Sequence, residues 1–171
     1  VEDDVDTRRL LVELVNQVPN FRCVAQYQSA EAATDSLPGS PPNIVLMDIK
    51  LPGATGIACV RHLKPRMPKT HFLILTTYEE ANGIFDALSA GAIGYLLKRE
   101  APDKLVAALH EVLEGGSPMS SIVARKVVNS FSQPRGASPD VEQLSERERQ
   151  VLELLARGQF YKEIADSLGI A

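Results

Sequence analysis

Side chains capable of chemistry fall at the predicted ends of strands in this chain. They are Glu2, Asp3 and Asp4 after the first strand, Asp48 after the third, Thr76 after the fourth and Lys98 after the fifth. In an open α/β sheet, ligands bind beyond the carboxyl ends of the strands, so these groups are expected to converge. A single carboxylate or lysine at a strand end is usually a helix cap or a solvated charge. The joint occurrence of all of them, in this order, indicates a functional acidic pocket.

The chemistry of such a pocket follows from its charges. Carboxylates that converge repel one another unless a cation lies between them, and a few oxygen ligands completed by water suit Mg²⁺. Mg²⁺ beside an ammonium group and a hydroxyl neutralises the charge on the equatorial oxygens in phosphoryl transfer. A carboxylate would then be either a metal ligand only or the nucleophile that forms an acyl phosphate.

Short apolar runs alternating with helical patterns must position these side chains. Strand-like runs cover residues 21–25, 43–47, 72–75 and 93–97, and the last three are continuously apolar. Continuous runs are typical of strands buried on both faces of a parallel sheet, and stripes such as Leu10, Leu14 and Val18 indicate helices between them. The alternation predicts an α/β domain over residues 1–114, a doubly wound five-stranded parallel sheet whose first strand is reduced to Val1.

The character of the chain changes after this domain. A helix is predicted over residues 122–131, and the proline, glycine and serine of residues 133–139 indicate a flexible linker, so that residues 115–143 connect two parts. A capping pattern, Ser145 followed by Glu148, begins a helix that ends at Gly158, and a second helix ends at Gly169. Residues 144–171 are thus expected to form part of an all-α helix–turn–helix domain, in a chain truncated at both ends.

Composition excludes several classes of protein. The 171 residues carry a formal net charge of −4, which argues against a chain that coats nucleic acid over its whole surface. No apolar run approaches the roughly 18 residues of a membrane helix. Two separated cysteines, Cys23 and Cys59, fit a reducing compartment, and three scattered histidines make a zinc site improbable. We therefore expect a cytoplasmic protein without a membrane partner.

Four segments, 1–4, 45–53, 75–77 and 90–98, together resemble the receiver domain of two-component response regulators. Their sequences are VEDD, VLMDIKLPG, LTT and AGAIGYLLK. The resemblance implies that Asp48 accepts the phosphoryl group and that Mg²⁺ is the cofactor. It also implies that Asp3 binds Mg²⁺ directly, that Glu2 acts on the metal or through its water, and that the backbone carbonyl of Lys50 completes the protein's ligands.

The same resemblance implies roles for three residues around the phosphoryl group. Thr76 would donate a hydrogen bond to the phosphoryl oxygens and Lys98 would form an ion pair with them. Tyr95 would be the aromatic switch that turns inward when Thr76 moves towards the phosphate. In similar receivers, the positions of Lys50 and Tyr78 tune the lifetime of the aspartyl phosphate.

Residues 144–158 and 162–170 resemble the LuxR-type helix–turn–helix of NarL/FixJ response regulators. The resemblance stops before the recognition helix, which in this family enters the major groove. Residues 115–171 contain seven Lys and Arg against seven Asp and Glu. A neutral segment lacks the counterion release that dominates DNA affinity, so this part alone is expected to bind DNA poorly.

These resemblances together predict a phosphorylation-activated, DNA-binding transcription regulator. Its partners would be a sensor histidine kinase and, for the intact protein, promoter DNA, with a homodimer forming on activation. It would not be an enzyme beyond promoting its own phosphorylation and dephosphorylation. A receiver-type protein–protein signalling module without DNA output is the alternative. A flavodoxin-like FMN protein is disfavoured, since a flavin phosphate prefers glycine, hydroxyls and helix N-termini to several carboxylates.

Overall fold

A computed structural model describes residues 1–132 of the chain, so the predicted domain at 144–171 lies outside the described residues. The strands are β1 (Ile44–Met47), β2 (His71–Thr76) and β3 (Ala92–Leu97). The helices are α1 (Val5–Gln17), α2 (Ala30–Ser36), α3 (Gly56–Leu63), α4 (Ala81–Ser89), α5 (Ala101–Leu113) and α6 (Ser121–Ser132). Short 3₁₀ turns cover Leu37–Gly39 and Lys98–Glu100. No helix among residues 1–132 is long and apolar enough to span a membrane.

The three strands form one parallel sheet in the order β1-β2-β3. Leu46 lies opposite Leu73, and Ile74 lies opposite Tyr95. Every residue of β2 after His71 is buried, which confirms that the continuous apolar run belongs to a strand covered on both faces. The predicted α/β class is confirmed.

The two faces of the sheet contribute to two separate apolar cores. One core packs Ile74 and Tyr95 against side chains of α3 and α4 such as Val60 and Ile84. The other core contains Leu73, Leu75 and Leu96 of the sheet with Leu11 of α1 and Leu105, Leu109 and Val112 of α5. Each fully buried side chain of this size stabilises the fold by about 1.5–3 kcal/mol, so both faces hold the strand ends rigidly.

The predicted count of five strands is not confirmed, because residues 1–132 contain three. Residues 21–25 are not a strand. Val1 exchanges hydrogen bonds with Leu46 and Asp48, and Glu2 donates its amide to the carbonyl of Tyr27 at 2.9 Å. A strand is defined by a hydrogen-bonded ladder, and the bond at Tyr27 lies just beyond residues 21–25.

Candidate functional site

The acidic pocket predicted from the sequence is present at the carboxyl ends of the strands. Asp48 follows β1, Thr76 is the last residue of β2 and Lys98 follows β3. Glu2 is aligned with them because the backbone of Val1 pairs with β1. Glu2, Asp48 and Thr76 are buried, so the sheet edge gathers polar groups in a place that is otherwise apolar.

Three carboxylates in this pocket are arranged as a possible metal site. Glu2, Asp3 and Asp48 each offer an oxygen atom, and these atoms lie within 4.8 Å of one another. Glu2 and Asp48 are buried whereas Asp3 is exposed, which leaves an open side for water. An all-oxygen set with room for several waters matches the preference of Mg²⁺.

Lys98 provides the positive charge of the pocket. Its Nζ lies 2.6 Å from Oδ2 of Asp48 and 2.7 Å from Oε2 of Glu2. The three side chains are 17%, 5% and 3% exposed, respectively, so the charges are largely removed from water. Burial alone would lower the pKa of Lys98, but the hydrogen bonds to Asp48 and Glu2 outweigh it and raise that pKa. Lys98 therefore stays protonated and holds both carboxylates.

The charged form of Glu2 is destabilised in this pocket. Burial raises the pKa of Glu2, and the hydrogen bond from Lys98 opposes that rise. The nearby charge of Asp48 raises it further. A single lysine thus compensates two buried carboxylates only in part, and a divalent cation beside Asp3 would remove the remaining repulsion.

The loop after β2 links Thr76 to Tyr95. The backbone amide of Tyr78 donates a hydrogen bond to Oγ1 of Thr76 at 3.3 Å. The hydroxyl of Tyr95 donates to the carbonyl of Tyr78 at 2.6 Å. Tyr95 is fully buried, and this burial raises the pKa of its hydroxyl. The ring of Tyr95 thus lies inside the core, and its role as an aromatic switch stays a prediction.

Lys50 and Tyr78 face each other beside the pocket. The Nζ of Lys50 lies 5.4 Å from the centre of the Tyr78 ring, within the range of a cation–π contact. The hydroxyl of Tyr78 donates to Oε2 of Glu80 at 2.6 Å, which fixes the ring. The backbone amide of Lys50 donates to Oδ1 of Asp48 at 3.4 Å, so the backbone of Lys50 lies beside the pocket.

Sequence reasoning missed two residues that hold the backbone of the pocket. Arg8 donates from Nη1 to the carbonyl oxygens of Glu2 at 2.6 Å and Asp3 at 3.1 Å, fixing the acidic loop at the start of α1. Glu31 accepts a hydrogen bond from the amide of Ala54 at 2.8 Å and so fixes the loop that contains Lys50. Arg8 lies six residues beyond Glu2, which is not a contact spacing of a helix, and Glu31 lies 23 residues before Ala54, so neither contact had a local signal.

Comparisons with known proteins agree with this geometry. Residues 1–110 match the response regulator receiver domain family, and residues 142–171 match the LuxR family of bacterial regulatory proteins. The chain is 32% identical over 171 residues to the transcriptional regulatory protein UhpA of Escherichia coli K12, covering all of this chain and 81% of the relative. It is 33% identical over 174 residues to the DNA-binding transcriptional activator DevR/DosR of Mycobacterium tuberculosis, with coverage of 100% and 79%.

A solved structure shows the same fold. A two-component response regulator of the LuxR family from Aurantimonas sp. SI85-9A1 superposes with a TM-score of 0.73 at 30% identity, over 77% of this chain and 94% of that one. The match at residues 142–171 disfavours the alternative of a signalling module without DNA output, and the receiver match leaves no support for a flavin protein. The chain belongs to the NarL/FixJ-type response regulators, the DNA-binding transcription regulators of two-component systems that join a receiver domain to a LuxR-type domain.

Proposed function

We propose that Asp48 accepts a phosphoryl group and that this modification switches the regulator on. The observation that carries the proposal is the buried Asp48 carboxylate with the Nζ of Lys98 at 2.6 Å, next to the carboxylates of Glu2 and Asp3. A carboxylate in such a place has both the nucleophilic oxygen and the counter-charges that phosphoryl transfer requires.

The chemical step is a displacement at phosphorus. With acetyl phosphate as donor, an Oδ atom of Asp48 forms a bond to phosphorus while the bond from phosphorus to the acyl oxygen breaks, and acetate leaves with that electron pair. The ammonium group of Lys98, which pairs with the Asp48 carboxylate before the reaction, then pairs with the phosphoryl oxygens. The hydroxyl of Thr76 donates a hydrogen bond to the same oxygens. A phosphohistidine of a sensor kinase would be the donor in a complete signalling system, with the imidazole as leaving group.

The residues at the pocket also fit a magnesium ion. Glu2, Asp3, Asp48 and the backbone carbonyl of Lys50 would hold it, and it would supply neutralisation of the charge on the phosphoryl oxygens. The protein itself would contribute the nucleophile Asp48, the ammonium group of Lys98 and the hydroxyl of Thr76.

The output follows from the second family match. We propose that phosphorylation promotes a homodimer and that the LuxR-type segment then brings the intact protein to promoter DNA. The regulator promotes only its own phosphorylation and dephosphorylation.

The first test of the proposed phosphorylation is incubation of the chain with acetyl phosphate and Mg²⁺, followed by intact mass measurement. A gain of one phosphoryl group is expected, and its absence would contradict the proposal.

Removal of the metal should stop the modification. Chelation of divalent ions with EDTA is expected to slow phosphoryl incorporation by about 100-fold or more, because the loss of several kcal/mol of charge stabilisation acts directly on the transition state. Asp3→Asn should require a higher Mg²⁺ concentration for the same rate, whereas Asp6→Asn, an exposed acid in the first turn of α1, should titrate like the wild type. If both variants needed the same Mg²⁺ concentration for a given labelling rate, Asp3 would not be a metal ligand.

Lys50 and Tyr78 are proposed to protect the aspartyl phosphate from water. The proposal is supported by their cation–π contact, by the bond from the Lys50 amide to Asp48 and by the bond from the Tyr78 amide to Thr76. Lys50→Ala and Tyr78→Ala should each shorten the half-life of the phosphorylated form by about two- to fivefold, the effect of losing a contact worth roughly 0.5–1 kcal/mol. The half-life is measured by intact mass after removal of the donor. Lys69→Ala, which removes an exposed charge elsewhere, is the control; an unchanged half-life in both pocket variants would refute the role.

A further inference from the structure

Residues 118–120 lie beside β3 as a short parallel extension of the sheet. The amide of Tyr95 donates to the carbonyl of Pro118 at 2.9 Å, and the amide of Ser120 donates to the carbonyl of Tyr95 at 3.1 Å. A Cβ atom at Gly94 would lie 2.5 Å from the carbonyl oxygen of Pro118, so this close approach requires glycine. The segment is therefore held against the strand that leads to the lysine of the pocket.

The side chain of Ser120 continues this pairing after its backbone carbonyl has turned into α6. That carbonyl accepts a hydrogen bond from the amide of Ala124 at 2.9 Å, in the first turn of the helix. The hydroxyl oxygen of Ser120 accepts a hydrogen bond from the amide of Leu97 at 3.1 Å. Ser120 and Leu97 are 0% and 1% exposed, so this bond is closed to water. A serine before a helix ordinarily bonds an amide of that helix, but here its oxygen reaches the last residue of β3.

The hydroxyl of Ser120 lies between the two ends of the turn that carries the lysine of the pocket. Leu97 directly precedes this turn, Lys98–Glu100. At the other end, Lys104 donates a hydrogen bond to Oε2 of Glu100 at 2.6 Å. That bond lowers the pKa of the Glu100 carboxyl, and the nearby hydroxyl of Ser120 lowers it further. One buried serine is thus close to both ends of the turn.

The turn must place Lys98 accurately, because one ammonium group serves two carboxylates. Its Nζ lies 2.6 Å from Oδ2 of Asp48 and 2.7 Å from Oε2 of Glu2. A lysine side chain has a flexible four-carbon stem, so the position of its ammonium group depends on where the backbone is held. A misplacement of about 1 Å can cost roughly 100-fold in the rate of a reaction.

We propose that Ser120 is a positioning residue for the phosphorylation of Asp48, which acts by fixing the turn that carries Lys98. The proposal rests on the phosphorylation of Asp48 proposed above. Ser120 lies beyond residues 1–110, which match the receiver domain family, so the segment that leads to α6 contributes to the pocket. Removing its hydroxyl leaves the buried amide of Leu97 without this acceptor, and such a loss loosens the backbone around it.

The kinetic test is the rate of phosphoryl incorporation into the full chain from acetyl phosphate and Mg²⁺. Ser120→Ala should be labelled about five- to tenfold more slowly than the wild type, because Lys98 is displaced but not removed. Ser121→Ala removes the same hydroxyl from an exposed neighbour and should be labelled like the wild type. Circular dichroism melts establish that each variant is folded at the assay temperature. Labelling of Ser120→Ala at the wild-type rate would refute the proposal.

A double-mutant cycle separates the positioning of Lys98 from general support of the fold. Lys98→Met is labelled slowly because the ammonium group is lost, and its labelling is followed over several hours. Adding Ser120→Ala to this variant should slow labelling by less than about twofold, because no ammonium group remains to be positioned. If the added change slowed labelling by the same factor as in the wild type, Ser120 would act through the fold and not through Lys98.

Amide hydrogen exchange of the unmodified chain tests the contact without phosphorylation. Ser120→Ala should increase exchange of residues 97–100 by about fivefold, the effect of one lost hydrogen bond, while Ser121→Ala leaves it unchanged. Equal exchange of residues 97–100 in Ser120→Ala and the wild type would refute the hold of Ser120 on the turn. Faster exchange together with an absence of labelling in the wild type would instead overturn Asp48 as the acceptor.

Discussion

Replacing Asp48 with asparagine should abolish the gain of a phosphoryl group from acetyl phosphate and Mg²⁺. The amide has nearly the same shape as the carboxylate but lacks its nucleophilic anionic oxygen, so no acyl phosphate can form on this side chain. The rate of incorporation, measured by intact mass, should fall by more than about 100-fold, the scale of loss on removing a nucleophile. The carbonyl of the new amide can still accept the hydrogen bond that Lys98 donates to Asp48.

The control for this experiment is an acid elsewhere on the surface. Asp35→Asn changes an exposed residue of α2 and should be labelled like the wild type. Labelling of the Asp48 variant at the wild-type rate would show that another carboxylate accepts the phosphoryl group. Glu2 and Asp3 are the neighbours to examine by peptide mapping, because their oxygen atoms lie within 4.8 Å of those of Asp48.

Much of this pocket could be predicted because it depends on strand ends. The continuous apolar runs predicted three strands that the structure confirms, and the polar residue after each run was necessarily placed at the same edge of a parallel sheet. Asp48, Thr76 and Lys98 are therefore where the sequence indicated. Their proximity follows from topology alone and needs no knowledge of side-chain packing.

Other features depend on contacts that a local pattern does not contain. Glu31 reaches Ala54 across 23 residues, and the pairing of α2 with that loop is a consequence of tertiary packing. The apolar pattern of residues 21–25 predicted a strand, but these residues are not a strand, because a strand also requires a hydrogen-bonded ladder to a neighbour that a local pattern does not contain. The function of Tyr95 likewise cannot be predicted from its burial, since a buried strand position fits both an inert core residue and a switch.

Gly56 supports the pocket in a way that only the structure reveals, and Gly56→Ala should destabilise the protein strongly. Gly56 is the first residue of α3 and donates its amide to the carbonyl of Ile49 at 3.0 Å. A Cβ atom at this position would lie 1.8 Å from the backbone oxygen of Asp48 and 2.9 Å from its carbonyl carbon. Both atoms belong to the backbone, so no side-chain rotation relieves the clash and the loop must separate from α3. We expect a loss of about 3 kcal/mol or more in the free energy of unfolding measured in urea.

The same displacement should also affect the chemistry, because residues 48–56 carry both Asp48 and the carbonyl of Lys50. Gly56→Ala should therefore label more slowly with acetyl phosphate even under conditions in which it remains folded. Gly39→Ala is the matched control, since a Cβ atom there meets nothing within 4 Å, and its stability should stay within about 0.5 kcal/mol of the wild type. If Gly56→Ala were as stable and as readily labelled as Gly39→Ala, the close approach of α3 to Asp48 would not be needed. If it lost stability but kept the wild-type rate when folded, the approach would support the fold without positioning the nucleophile.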